Sequence, residues 1–153
     1  MKKRIVIAVV LAVLLAASAY AQIRHDLIVA VENGTLEDVR TAISKGADVN
    51  ARGGENGWTI LILAAGGNKN PDVIRTLLKA GADVNAWGEG DGETALMHAA
   101  RYNDNPEIVL VLLKAGEDAK AKNNNGERAL DCAQGNSNLR DTDALKQLEE
   151  ASK

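Results

Sequence analysis

The chain has a single cysteine, Cys132, and few side chains suited to acid–base chemistry near neutral pH. One cysteine excludes an intramolecular disulfide, so packing has to stabilise the fold. The two histidines, His25 and His98, stand in no nucleophile motif, glycine-rich phosphate loop or metal-ligand spacing. The sequence therefore predicts no enzyme, no cofactor and no metal site.

The sequence also lacks a stripe of basic residues. It carries 18 Lys and Arg against 21 Asp and Glu, and three of the basic residues lie within the first four positions. Without those three the net charge is about −6, compared with −3 for the whole chain. Because an acidic surface repels a phosphate backbone, nucleic acid is not expected as a partner.

The first 21 residues have the order of a secretory signal. A basic start precedes an apolar run over residues 5–17, and the segment closes on Ser-Ala-Tyr-Ala. This order is typical of a signal that is removed, so we expect cleavage between Ala21 and Gln22. We then expect a periplasmic or secreted protein, best suited to a bacterial envelope, that meets the membrane only before cleavage. An uncleaved membrane anchor is the alternative.

One glycine-containing motif recurs along the chain, and its fullest form is LLKAGADVNA at residues 77–86. Related segments are KGADVNA at residues 45–51 and LLKAGEDAKA at residues 112–121. The shared glycines are spaced 35 residues apart, at Gly46, Gly81 and Gly116. A period of about 20–50 residues indicates an array of stacked repeats.

Each unit is predicted to contain two helices. A first helix follows Gly-x-Thr at residues 57–59 and 92–94, where threonine can cap the helix start. A second helix follows Asn-Pro at residues 70–71 and 105–106, and the repeated glycine ends it. A polar, glycine-rich tip comes next. Since one such unit cannot bury its apolar faces alone, neighbouring units have to stack.

Taken together, these motifs resemble the ankyrin-repeat family. The resemblance rests on GADVNA, on Gly-x-Thr-x-Leu and on alanine pairs at residues 64–65 and 99–100, and it extends from about residue 23 to the C-terminus. It implies an all-α solenoid of about four stacked repeats after the signal peptide. The expected boundaries are 1–21 for the signal and 22–153 for the repeat domain, with units at about 23–56, 57–91, 92–125 and 126–153.

The chain departs from the family pattern in its middle units. Each is two residues longer, with one extra residue in the loop between the helices and one in the hairpin tip. Ile62 and Met97 stand where the family normally has a histidine that braces the hairpin. The sequence therefore predicts tips that lack this brace.

Aromatic residues are scarce, and phenylalanine is absent. Outside the signal segment the aromatics are Trp58, Trp87 and Tyr102, none of them on the apolar stripe of a helix. The resemblance implies partner contacts at the hairpin tips and the concave face, and large aromatics are enriched in such contacts. The alternative is that Trp58 and Trp87 stack on each other and support the hairpins. The predicted contact residues are Trp58 and Trp87 as anchors, Ile60, Ile62, Met97 and Arg101 as an adaptable apolar patch, Tyr102, and Arg52, Glu55, Glu89 and Asp91 as charges at the tips.

Other polar residues have plainer interpretations. His98 is expected to be packed and bonded to a neighbouring backbone, and His25 to be exposed just before the first helix. Cys132 is expected to be buried, with a redox-sensitive thiol as the alternative. The acidic tip at residues 89–93 lacks the ligand ladder of a calcium loop, so we expect it to be solvated.

The leading hypothesis for function is an exported, monomeric scaffold that binds another protein. Two alternatives stay open. The lone thiol suggests an accessory or regulator of an exported enzyme, linked to oxidative stress. Export itself is also compatible with a secreted effector.

Overall fold

A computed structural model describes residues 2–54 and 56–153, with residues 2–10 described by their backbone alone. The described chain is mostly helical, with one short hairpin of two strands, β1 and β2, in which Arg52 pairs with Thr59. The elements are α1 (Lys2–Asn33), α2 (Leu36–Ser44), β1 (Arg52–Gly53), β2 (Trp58–Thr59), α3 (Ile60–Gly67), α4 (Pro71–Lys79), α5 (Ala95–Tyr102), α6 (Pro106–Lys114), α7 (Ala129–Ala133), a 3-10 turn (Ser137–Leu139) and α8 (Asp143–Ala151).

Consecutive helices pack in pairs, α1 with α2, α3 with α4, α5 with α6 and α7 with α8. The first helices of the pairs contact one another in an inner row, α1 to α3 to α5 to α7, and the second helices form an outer row. The repeated helical architecture that the sequence predicts is therefore confirmed. Its core is continuous, because each pair buries its apolar faces against the next pair.

The predicted helix starts and stops are also confirmed. Thr59 and Thr94 are N-caps, and each accepts a hydrogen bond from the backbone N–H three residues later. Asn70 and Asn105 cap α4 and α6, with proline at the first helical position. Gly81 has φ +96°, a left-handed conformation in which a side chain would be strained, and it follows the end of α4.

Helix α1 is longer than the sequence analysis predicts. His25 was expected just before the first helix, but it lies inside α1 and is exposed. The reason is that no glycine or proline interrupts the chain between residue 2 and Gly34. Leu27, Ala30 and Val31 form the buried side of the C-terminal part of α1. Within the described residues, no helix combines the length and apolar character needed to cross a membrane.

The last pair of helices differs from the middle pairs in the residue that precedes its first helix, α7. Arg128 stands where the two middle units have a threonine N-cap, and its side chain makes no cap hydrogen bond. Instead, its backbone N–H donates to the carboxylate of Asp131 at 2.9 Å. Helix α8 packs with Leu148 buried and Leu145 partly buried against the core.

Buried asparagines link the units, a feature that sequence analysis missed. Asn103 Nδ2 donates to the carbonyl oxygens of Ala65 at 2.7 Å and Asn68 at 2.9 Å, both in the preceding unit. Asn68 and Asn136 donate in the same way to carbonyls one unit before their own. All three side chains are in buried residues, so these bonds satisfy carbonyls that water cannot reach.

Candidate partner-binding surface

Trp87 is the most exposed aromatic side chain outside α1 among the described residues. Its side chain is 61% exposed, and it opens the second hairpin (residues 87–94), where its backbone pairs with Thr94. A groove of about 520 Å³ lies beside it and separates this hairpin from the following turn. The groove is lined by Asn85, Trp87, Gly92, Thr94, Asp118, Ala121, Lys122 and Asn124.

Trp58 differs from Trp87 because its surroundings belong to its own chain. Its ring packs edge-on against His98, with 4.4 Å between ring centres, and it contacts the core. Its Nε1 donates to Asp91 Oδ2 at 2.8 Å. The proposed stacking of the two tryptophans is not among the described aromatic contacts, in which Trp58 pairs with His98. Trp58 is therefore part of the hairpin support.

Arg52 connects the two hairpins. Its Nη1 donates to the carbonyl of Gly57 at 2.9 Å and to the carbonyl of Trp87 at 2.7 Å, and its Nε lies 3.5 Å from Glu89. These bonds brace the tips where the sequence predicted that the family's histidine brace is lost. Glu89 remains largely exposed and accessible. Glu55 lies outside the described residues.

The predicted apolar patch is wrong in its composition. Ile60 and Ile62 have no exposed surface, and Met97 is 1% exposed. All three lie at the starts of the inner helices α3 and α5, where the neighbouring first helices cover them. Side chains at full burial cannot contact a partner unless the repeats separate, so these residues belong to the core.

Arg101 is engaged inside the protein rather than free on the concave face. Its Nη2 lies 2.8 Å from Glu127, 3.0 Å from Glu93 and 3.0 Å from the Cys132 sulfur. The hydrogen bond that Arg101 donates to Glu127 raises the pKa of Arg101 above its ordinary value. Tyr102 is 58% exposed at the end of α5, and its ring centre lies 5.9 Å from the Arg101 guanidinium. Of this pair, only Tyr102 offers a large free surface.

The acidic tip is solvated only in part: Glu89 is exposed as predicted, whereas Asp91 and Glu93 turn inward. Glu93 is only 8% exposed, and its Oε2 lies 3.0 Å from His98 Nε2. Asp91 is partly buried, because it accepts hydrogen bonds from the Trp58 ring and from the Glu93 backbone. His98 is buried as predicted, but its ring faces a carboxylate and two aromatic rings rather than a backbone group. Burial lowers the pKa of His98 to about 4.

This polar cluster was missed because its members are scattered in the sequence. The one sequence signal is the position of Glu93 directly before the N-cap Thr94, which puts its carboxylate at the start of the helix that carries His98. Arg101 follows His98 by three residues, on the same side of α5. Their meeting with Glu127 and Cys132 depends on how the next unit stacks.

Cys132 is buried, with 3% of its surface exposed. Burial raises the pKa of its thiol to about 11, although the Arg101 guanidinium opposes this shift. A thiol with this pKa is protonated at neutral pH, and a reactive cysteine needs a thiolate and access. The site therefore does not favour the redox-sensitive alternative.

The repeated helix pairs, the hairpins and their spacing agree with a sequence comparison. The sequence model for ankyrin repeats in three copies matches residues 27–123 and, overlapping them, residues 70–149. The chain belongs to the ankyrin-repeat family. No curated protein matches it. Ankyrin repeats generally mediate interactions between proteins, so the free surfaces of this ankyrin-repeat protein are candidates for partner contact.

Proposed function

We propose that this ankyrin-repeat protein is an exported scaffold that binds another protein through a surface centred on Trp87. The exposure of the Trp87 ring beside a groove at the hairpin tips is the observation that carries the proposal. An indole ring left in water at a tip contributes little to folding. When a partner covers the same ring, a large apolar surface leaves water and contributes to the binding free energy. Tryptophan is accordingly enriched among binding hot spots.

The lining of the groove fits a protein surface. Asp118 and Lys122 provide charges of both signs, and Asn85 and Asn124 provide amide groups that can donate and accept. A phosphate backbone would favour a basic surface, which this lining and the net charge do not offer. The matching partner is a folded or extended protein segment. It would offer an apolar pocket for Trp87 and polar groups of both charges around it.

Removal of a signal at residues 1–21 is compatible with the fold. The expected cut between Ala21 and Gln22 lies inside α1, and it leaves residues 22–33 as the first helix of the repeat domain. The buried residues Leu27 and Val31 stay with that domain. The proposed mature protein is then a monomer of about four units, located in the periplasm or outside the cell. Mass spectrometry of the protein from an envelope or secreted fraction tests this: a mature N-terminus at Gln22 supports cleavage and export, an intact N-terminus in the envelope fraction contradicts cleavage, and absence from both fractions contradicts export.

Partner capture tests the binding surface. We expect cross-linking and pull-down from an envelope extract to recover a partner with the wild type and to lose it with Trp87→Ala. Tyr102→Ala is the matched control, because Tyr102 is a similarly exposed aromatic residue at the end of an inner helix. Equal loss with both variants would indicate that the partner binds the concave face as well as the hairpin tip. Full recovery with Trp87→Ala would contradict the proposal.

A further inference from the structure

Asp91, Glu93 and His98 bring three potential metal ligands together at the base of the second hairpin. One ligand atom from each lies within 4.8 Å of the other two. His98 Nε2 and Glu93 Oε2 are 3.0 Å apart, and both residues are more than nine-tenths buried. Two ligands of a zinc ion with bonds of about 2.0–2.2 Å lie roughly 3 to 3.5 Å apart, so this spacing suits a shared ion.

The imidazole of His98 has a nitrogen that needs a partner. Among the described residues, Nε2 is buried and makes no hydrogen bond, although Glu93 Oε2 lies only 3.0 Å away. Two ligands that share a metal ion also lie close together without a hydrogen bond between them, because each directs a lone pair at the ion. In a neutral imidazole one ring nitrogen carries a lone pair that can bind a metal ion.

Neighbouring groups hold the two carboxylates in place. Trp58 Nε1 donates to Asp91 Oδ2 at 2.8 Å, and the Glu93 backbone N–H donates to Asp91 Oδ1 at 2.9 Å. Arg101 donates to Glu93 Oε1 at 3.0 Å, which leaves Oε2 facing His98. Each carboxylate oxygen has a further lone pair. Such outer hydrogen bonds are typical of sites that orient metal ligands.

A second group of acceptors lies beside the first, and it already holds a cation. Glu93, Glu127 and Cys132 also come within metal-binding distance of one another. The guanidinium nitrogen of Arg101 lies 2.8 to 3.0 Å from all three. Asp91, Glu93, Glu127 and Arg101 together carry a formal charge of −2. A divalent cation would balance this charge.

We propose that Asp91, Glu93 and His98 form a binding site for a divalent transition-metal ion such as Zn²⁺. One imidazole nitrogen and two carboxylate oxygens are a donor set that suits zinc and its neighbours, whereas calcium takes six to eight oxygens. Asp91 is partly exposed and provides the route of entry. The bound ion would tie the second hairpin to α5.

Calorimetric titration of the EDTA-treated full-length chain with ZnCl₂ tests the site. We expect one Zn²⁺ per chain, a higher thermal midpoint with zinc, and binding of Ca²⁺ at least about tenfold weaker. His98→Gln and Asp91→Asn are each expected to weaken zinc binding by more than about tenfold. His25→Gln is the control, because His25 is the other histidine and is exposed; its affinity should equal that of the wild type.

Asp91→Asn keeps the test decisive if His98→Gln does not fold, because it preserves the shape of a partly exposed side chain. Thermal unfolding of every variant in EDTA establishes that the folded protein is being titrated. Nitrogen-detected NMR of the histidine rings adds a direct readout, with the His98 Nε2 resonance expected to shift on zinc addition. No stoichiometric binding, equal affinity in Asp91→Asn, or loss of binding in His25→Gln would each overturn the proposal.

Discussion

Trp58 Nε1 donates a hydrogen bond to Asp91 Oδ2 across 2.8 Å, and this bond joins the first hairpin to the second. The two residues lie 33 positions apart, near the two ends of the unit at residues 57–91. Trp58 and Trp87 hold related places near the tips, yet one is bound into the scaffold and the other projects from it. Trp58 therefore supports the hairpins, whereas Trp87 is free to contact a partner.

This separation predicts different effects of the same substitution. Trp58→Phe should lower the free energy of unfolding by about 1 kcal/mol, because it removes the hydrogen bond to Asp91. Trp87→Phe should change it by less than about 0.5 kcal/mol, as expected at an exposed site. Urea denaturation of both variants measures the difference. Equal effects would show that the Trp58 bond contributes nothing to stability.

Ile62 should behave as a core residue. Ile62→Val is expected to cost about 1 kcal/mol of unfolding free energy, since it removes a methyl group from a fully buried side chain. Val29→Ala serves as a control that removes two carbon atoms at a residue that is 43% exposed, and it should still cost less. If Ile62→Val left stability unchanged but weakened partner recovery, the residue would have to be returned to the binding surface.

Replacing one of the buried asparagines that link the units, Asn68, Asn103 or Asn136, should lower the free energy of unfolding. Asn103→Ala leaves the carbonyls of Ala65 and Asn68 without their side-chain donor, so we expect a loss of about 1–3 kcal/mol in the free energy of unfolding. Asn124→Ala also removes a bond between units, from Asn124 to the Gly90 carbonyl, but at an exposed position. Its effect in the same denaturant titration should be within about 0.5 kcal/mol. Similar losses in both would contradict a special role for burial.

Glu117 should make stability depend on pH. It replaces the alanine of the repeated motif, its Oε1 accepts from the Leu96 N–H at 2.7 Å, and burial raises its pKa from 4.5 to about 7. Between these values the folded state keeps a proton that the unfolded state has lost, so this residue lowers stability as pH rises from 4.5 to 7.

Glu117→Gln should remove that dependence. We expect the variant to exceed the wild type by about 1–3 kcal/mol at pH 8 and to differ little at pH 4.5, because glutamine keeps an acceptor for Leu96 without a buried charge. Chemical denaturation at several pH values provides the measurement. Glu150→Gln, at an exposed position in α8, should leave the pH profile unchanged. A constant difference across pH would exclude ionisation of Glu117 as the cause.

Much of the fold could be predicted because its signals are local. Thr59, Asn70 and Gly81 act through the backbone within a few residues of themselves, and the structure confirms each of them. The start of the first helix was misplaced for a related reason. No residue before Gly34 stops α1, and the boundary of an expected signal is not a boundary of helical structure.

The candidate site was harder to predict because exposure is not a local property. The sequence analysis placed Ile62 and Met97 in an apolar contact patch with the tryptophans, but the inner helices of adjacent units bury both. Arg101 was assigned to the same patch, yet Glu127 from the next unit binds it. Such contacts depend on the exact stacking of one repeat on another.

The sequence by itself determined the period, the helix caps and the membership of a repeat family, since these follow from backbone preferences and from apolar faces that only stacking can bury. Tertiary structure alone decided that Trp58 supports the scaffold while Trp87 is free, and that Asp91, Glu93 and His98 meet around a buried nitrogen. The physical reason is that stacking fixes which side chains lose water, and a polar group that loses water has to find a partner.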